Sequence, residues 1–420
     1  MGSEEFQPRT VLVWLFLFLY LPALGSDLWT LRFVKTGDLP SFHEAARHAF
    51  VERDSPYAVV HDAESEQALG QRIHPFLYPP PSLLVLAPLA LVSYDTARVV
   101  VLVVNHALLL VLVLLLLRRR TGSDVADGLL LVYVLLFEPV RATIALGQVN
   151  LLVLVLVVLA WEALRHGRSP VAAALPLSVA IVVKTYPVLL LVPLVAHRRW
   201  RVVGWTLAFL AVAAALAALV LPAAAWGDWV RDVLPSGGYG ESPRGLFSPA
   251  APWNQSLNGF SARLFLENGF SAPIATSPAA ARLVPALLAC ALLALAAGAS
   301  LRSGARPDRE RFLDLELALW LVAMFAVAPL SWAHHLVFVL PACVLALRLA
   351  LEHGPWTRTA VALAAFVPAW GLPTDAGDLK GRFLAPLISV ELYAVLVVGA
   401  FLLAWHRHAR RALAPIGSTG

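Results

Sequence analysis

The chain has 420 residues, 59% of them hydrophobic and 14% charged, with a net charge of +5 and a mean hydropathy of +0.74. Soluble domains carry about 25% charged residues, so this composition excludes a soluble globular enzyme and indicates a polytopic membrane protein. The basic excess does not point to nucleic acid, because Lys and Arg gather in short runs beside apolar segments, as they do in cytoplasmic loops.

In chain order, Val11 to Leu24 forms the first apolar run, followed by "PALGS", which resembles a signal-peptide cleavage site. The leader carries Glu4 and Glu5 and little positive charge, so a retained membrane helix is expected. A polar segment from about Gly25 to Tyr78 then reads as the first external loop. Ser82 to Leu117 reads as a short helix followed by a full one, ending at "RRR" (118–120). If that triplet is internal, the 82–93 segment must be re-entrant. Otherwise the triplet is external and a neighbouring segment does not span.

Further along, "RHGR" (165–168), "HRRWR" (197–201), "RSGARPDRER" (302–311), "HGPWTR" (353–358) and "WHRHARR" (405–411) read as cytoplasmic. The stretches between them are then external: "GQVN" (147–150), the "KTYP" bend (184–187), a large loop of about 222–277, the turn bearing His334 and His335, and 372–383. Cys290 and Cys343 lie in apolar runs and read as small core residues. At about 20 residues per span, the chain is expected to form one all-α transmembrane unit over 1–420 with ten to thirteen membrane helices.

This alternation collects Asp27, Asp38, Tyr78, Gln148, Lys184, Asn254, Gln255, Arg263, His334 and His335 at external helix ends or in external loops. A transporter would place ionisable groups near the midplane and show internal repeats. The pattern instead fits a catalytic site at the outer membrane surface. There is no P-loop, no dinucleotide-binding glycine motif and no HExxH, so a nucleotide-sugar enzyme of the soluble type is disfavoured.

Six blocks, "GDLPSFHEAARHAFVERDSPY" (37–57), "FLYPPPSLLVLAPLALV" (76–92), "LGQVNLLVLVLVVLA" (146–160), "VVKTYPVLLLVPLVAHRRWR" (182–201), "WNQSLNGFSARLF" (253–265) and "PLSWAHHLVFVLP" (329–341), resemble glycosyltransferase family 87 in content and order. The resemblance covers about residues 10 to 410. It implies a GT-C-type membrane enzyme using a polyprenyl-phosphate sugar, with an essential acid in the first external loop. Asp38 is the first candidate and Asp27 the second. Phe42 and His43 replace the Tyr usual in the family, Arg53-Asp54 replaces a Gly turn, and Ala333 stands where an acidic residue is frequent.

Transfer from a sugar phosphate to a hydroxyl requires a base for the acceptor proton and cationic or hydrogen-bonding groups for the departing phosphate. Asp38 is assigned the first role, and Lys184, His334 and His335 the second. Tyr78, Gln148, Asn150, Asn254, Gln255 and Arg263 are candidate substrate contacts. A single carboxylate predicts inversion at the anomeric carbon. "NQS" at 254–256 also spells a glycosylation sequon, here read as part of the family block. No metal site and no cofactor are expected. The predicted activity is transfer of a sugar, mannose foremost, from a polyprenyl-phosphate donor to a lipid or glycan acceptor, outside the cytoplasmic (inner) membrane. The alternative is a transporter or flippase of polyprenyl-linked lipids.

Overall fold

The computed structural model describes residues 8–33, 37–57, 73–118, 121–241, 248–370 and 385–412. Helix α1 (Pro8–Phe33) is continuous. It does not stop at Leu24, because Gly25 and Ser26 are followed by an apolar turn through Phe33 without a breaking proline. The segment expected to be external therefore begins after Phe33, and Asp27 belongs to a helix and not to a loop. Helix α2 (Leu39–Arg47) opens beyond Asp38, and α3 (Ser82–Leu86) runs into 3-10 turns ending at Leu91.

Serine side chains set the next starts by accepting backbone N–H groups. Ser93 caps α4 (Tyr94–Leu117) and Ser123 caps α5 (Asp124–Leu135), after which a break at Leu136 and Phe137 leads into α6 (Glu138–Ala145). Helix α7 (Asn150–Arg165) follows "GQV", and Ser169 with Pro170 opens α8 (Pro170–Val183). The "KTYP" bend passes through 3-10 turns at Tyr186–Leu190 into α9 (Leu191–Ala196). Then come α10 (Trp200–Val220), α11 (Ala224–Asp228), α12 (Leu257–Phe265) and α13 (Pro278–Gly304). The chain ends with α14 (Leu313–Val327), α15 (Leu340–Ala350), led in by 3-10 turns from Ala333, α16 (Pro355–Trp370) and α17 (Val390–Ala412).

Side-chain contacts sort the helix termini into two ends. At the basic end Arg118 lies 3.8 Å from Glu162, Arg165 pairs with Asp314, His197 meets Glu316 at 2.8 Å, Arg199 pairs with Glu310, and Arg306 donates to the Arg410 carbonyl. At the opposite end His43 contacts the Val92 carbonyl, Arg53 donates to the Val220 carbonyl, and Gln255 donates to the Ile388 carbonyl. The described residues pass between these ends twelve times, through α1, α4, α5 with α6, α7, α8, 186–196, α10, α13, α14, 333–350, α16 and 385–412. Seven passages are helices long and apolar enough to cross a membrane. The protein is thus an all-α, multi-pass membrane protein.

This arrangement settles the ambiguity before "RRR". Arg118 joins the basic end, whereas residues 82–91 supply only two short turns, about 15–20 Å of rise. A bilayer core needs about 30 Å, so this segment returns to the end it left. The two central helices are the ones buried nearly all round. Every residue of α14 except Asp314 is buried, and α7 buries both its faces. Such helices pack against protein on every side, and in lipid that packing rests on van der Waals contact and interhelical hydrogen bonds. The expected external segment 372–383 lies outside the described residues.

Candidate active site

The start of α2 places Asp38 unusually. It occupies the N-cap position, yet its side chain makes no capping hydrogen bond. Its backbone N–H is tied to the Leu146 carbonyl at 3.2 Å, and its Oδ2 accepts from Gln148 Nε2 at 3.0 Å. Gln148 comes from the turn between α6 and α7, where Gly147 has φ +64° and a Cβ would fall 2.8 Å from the Leu39 Cβ. Only glycine lets that turn approach α2 without strain. Gln148 Oε1 in turn accepts from the Tyr78 hydroxyl at 3.4 Å, while Tyr57 donates to the Tyr78 carbonyl at 2.6 Å. Asp38 is held as a hydrogen-bonded acceptor, with its second oxygen left to other partners.

Facing it are the cationic and imidazole groups. Helix α8 ends at Val183, and the extended backbone of Lys184 carries a 3%-exposed side chain. Its Nζ lies 2.9 Å from His335 Nε2 and 5.3 Å from the Tyr78 ring centre. Asp38 is within electrostatic reach of both Lys184 and His334. The His334 and His335 rings stand edge to face, 4.5 Å apart. The backbone N–H of Trp332 donates to His335 Nδ1 at 3.3 Å. His334 Nε2 is buried without a hydrogen-bond partner among the described residues.

All five groups line one cavity of about 580 Å³, together with Tyr78, Tyr186, Trp229, Trp253 and Trp332. Asp38 is its one carboxylate among the described lining residues. A pocket of this size, mostly aromatic and apolar with a few converging polar groups, is the usual form of a small-ligand site.

The sequence model of glycosyltransferase family 87 matches residues 76–329, more than half of the chain. The chain belongs to glycosyltransferase family 87. It is also similar to a polyprenol-phosphate-mannose-dependent alpha-(1-2)-phosphatidylinositol mannoside mannosyltransferase of Mycolicibacterium smegmatis, with 29% identity over 71% of this chain and 69% of the relative. Family membership makes the protein a membrane glycosyltransferase and sets aside the transporter alternative.

Within this family 87 enzyme the remaining candidates divide. Asp27 lies in α1, 3.5 Å from His106 Nε2, and lines a separate small cavity beside Arg98. The structure does not bring it to Asp38. Asn150 is fully buried and donates to Thr143 Oγ1 and the His334 carbonyl, so it braces the histidine turn. Asn254 donates to the carbonyls of Pro249 and Pro329, and Gln255 to those of Pro252 and Ile388. Arg263, fully buried, reaches the carbonyls of Ala251 and Asn254 and the Ser389 hydroxyl. These three side chains satisfy buried backbone acceptors, which would otherwise cost about 1–3 kcal/mol each, and they do not line the cavity. Burial of Asn254 also fits the reading of "NQS" as part of the family block and not as a glycosylation sequon.

Three cavity tryptophans were not among the sequence candidates. Trp253 and Trp332 stand inside two of the family blocks, immediately before "NQS" and two residues before His334. An aromatic residue beside a polar turn between apolar runs was the signal available.

Proposed function

We propose that the enzyme transfers mannose from a polyprenyl-phosphate donor to a sugar-bearing lipid acceptor, with inversion, at the outer face of the cytoplasmic membrane. The observation that carries this reading is the meeting of Asp38, Gln148, Lys184, His334 and His335 on one cavity from four distant segments. The donor class and the acceptor class are supported by similarity to the mycobacterial relative, a polyprenol-phosphate-mannose-dependent phosphatidylinositol mannoside mannosyltransferase.

In the reaction the acceptor hydroxyl gives its proton to Asp38 as its oxygen bonds to the anomeric carbon. The bond from that carbon to the phosphate oxygen breaks, and polyprenyl phosphate leaves with the electron pair. Gln148 holds Asp38 Oδ2, which leaves Oδ1 to receive the proton. Lys184 and the two imidazoles face the departing anion, and in a site partly shielded from water such preset groups stabilise charge strongly. Asp38 is the one carboxylate among the described residues of the cavity, which favours a single displacement with inversion over a double displacement.

The test is transfer by purified protein in detergent, with polyprenyl-phosphate sugars and lipid acceptors. Mannose transfer with an anomeric configuration opposite to the donor's supports the proposal. Retention of configuration, or turnover only with nucleotide sugars, overturns it.

A further inference from the structure

Eleven of the thirteen tryptophans of the chain fall into three settings. Trp161 and Trp320 are buried in the core at 1% exposure. Trp14, Trp29, Trp200, Trp205, Trp356 and Trp370 are exposed on outer helix surfaces, where an amphipathic indole suits the membrane interface. Trp229, Trp253 and Trp332 do neither. They are half-buried and line the catalytic cavity.

Two of them are held with unusual care. Trp253 and Trp332 belong to segments nearly eighty residues apart, joined by an isolated antiparallel bridge between Asn254 and Trp332. Gln255 N–H donates to the Ser331 carbonyl at 2.7 Å, and Asn254 Oδ1 accepts from the Ser331 N–H at 3.1 Å. Pro329 O collects Asn258 Nδ2 at 2.9 Å as well as Asn254 and Ser256. Gly259 permits the closure, since a Cβ there would lie 2.1 Å from the Asn254 carbonyl oxygen. The product of this buried polar network is a pair of indoles with centres 6.4 Å apart and planes inclined by 41°, with Phe270 packed edge-on behind Trp253.

We infer that Trp253 and Trp332 form the platform on which a sugar ring of the acceptor stacks. A pyranose presents a face of C–H bonds flanked by hydroxyls. A rigid indole covers that face, and little ordering entropy is lost because the ring is already fixed. The polar wall, formed by Asp38, Lys184 and the histidines, is occupied by the reacting hydroxyl and the donor phosphate. The aromatic wall is left for the ring that carries the hydroxyl. Asn254, Gln255 and Asn258 are then positioning residues for the platform. This inference rests on the proposed transfer to a sugar-bearing acceptor.

The experiment compares wild type, Trp253→Ala, Trp253→Leu and Trp253→Phe in detergent, with polyprenyl-phosphate mannose as donor and a mannosylated glycolipid as acceptor. Trp253→Ala is expected to raise the acceptor KM about tenfold, the scale of one lost aromatic contact, while the donor KM stays within twofold. Trp253→Phe, which keeps a flat ring, should recover most of the loss, and Trp253→Leu, similar in apolar character but without a face, should not. If the alanine form is not recovered folded, the phenylalanine and leucine forms carry the comparison. Equal recovery by Leu and Phe, an unchanged acceptor KM, or a rise confined to the donor KM overturns the platform. Absence of transfer by the wild type refutes the proposed function instead.

Discussion

At the residue scale, the proposed chemistry turns on a helix N-terminus whose capping side chain makes no bond to its own helix. Asp38 accepts from Gln148 and makes no cap bond with α2, so its remaining oxygen is available to a substrate. Asp38→Asn keeps the size and the contact with Gln148 but removes the proton acceptor. Turnover should fall about 10²-fold or more with donor affinity retained, as measured by transfer rate beside donor binding. A near-normal rate would remove Asp38 from the base role. Lys184 and His335 share a 2.9 Å contact, so their effects on donor phosphate should be coupled. Lys184→Ala and His335→Ala are each expected to weaken donor binding by about 1.5–3 kcal/mol, the range for hydrogen bonds to a charged group. The double variant should lose less than the sum. Calorimetry on folded protein checks this, and strict additivity would mean that the two groups serve separate ligands. Lys184 and the His pair were legible as candidates because such groups at the edge of apolar runs are costly without a task, and Asp38 because its block resembles the family pattern. Asn254, Gln255 and Arg263 gave the same signal for another reason: their partners are backbone carbonyls brought near by the fold.

At the element scale, the site depends on how closely the turn before α7 approaches α2. Gly147→Ala would place a methyl against Leu39 in a left-handed backbone conformation, costing about 1–2 kcal/mol for the backbone alone. The variant should melt at a lower temperature and turn over more slowly, because relief of the clash moves Asp38 away from Gln148. Gly269→Ala is the control, since nothing lies within 4 Å of a Cβ there, and its stability should match wild type. Equal behaviour of the two variants would show that the turn is not a constraint. Of the elements, the long apolar helices and the serine starts were readable from local pattern. The extension of α1 through Asp27 was not, because Gly and Ser in a membrane-bound helix are tolerated when apolar residues resume beyond them.

At the scale of the whole molecule, twelve passages carry every described basic run of the sequence to one end and the cavity lined by Asp38 to the other. The proposed orientation puts the cavity outside. With Cys290 and Cys343 replaced, a cysteine at Gly269, exposed in the 222–277 loop, should react with an impermeant thiol reagent in intact cells. One at Gly354, exposed between α15 and α16, should react only after permeabilisation. The reverse pattern would turn the enzyme over in the membrane. Hydropathy and charge alternation by themselves determined the solvent, the helical class and the two-ended layout, because each depends on the transfer energy of a continuous segment and on the nearest charges. The six blocks likewise carried the family. Only the tertiary structure decided which polar residues share the cavity. It separated Asp27 from Asp38, turned Asn254 and Arg263 inward as framework, and set Trp253 beside Trp332, because hydrogen-bond partners and stacking neighbours lie tens to hundreds of residues away along the chain and no local pattern encodes them.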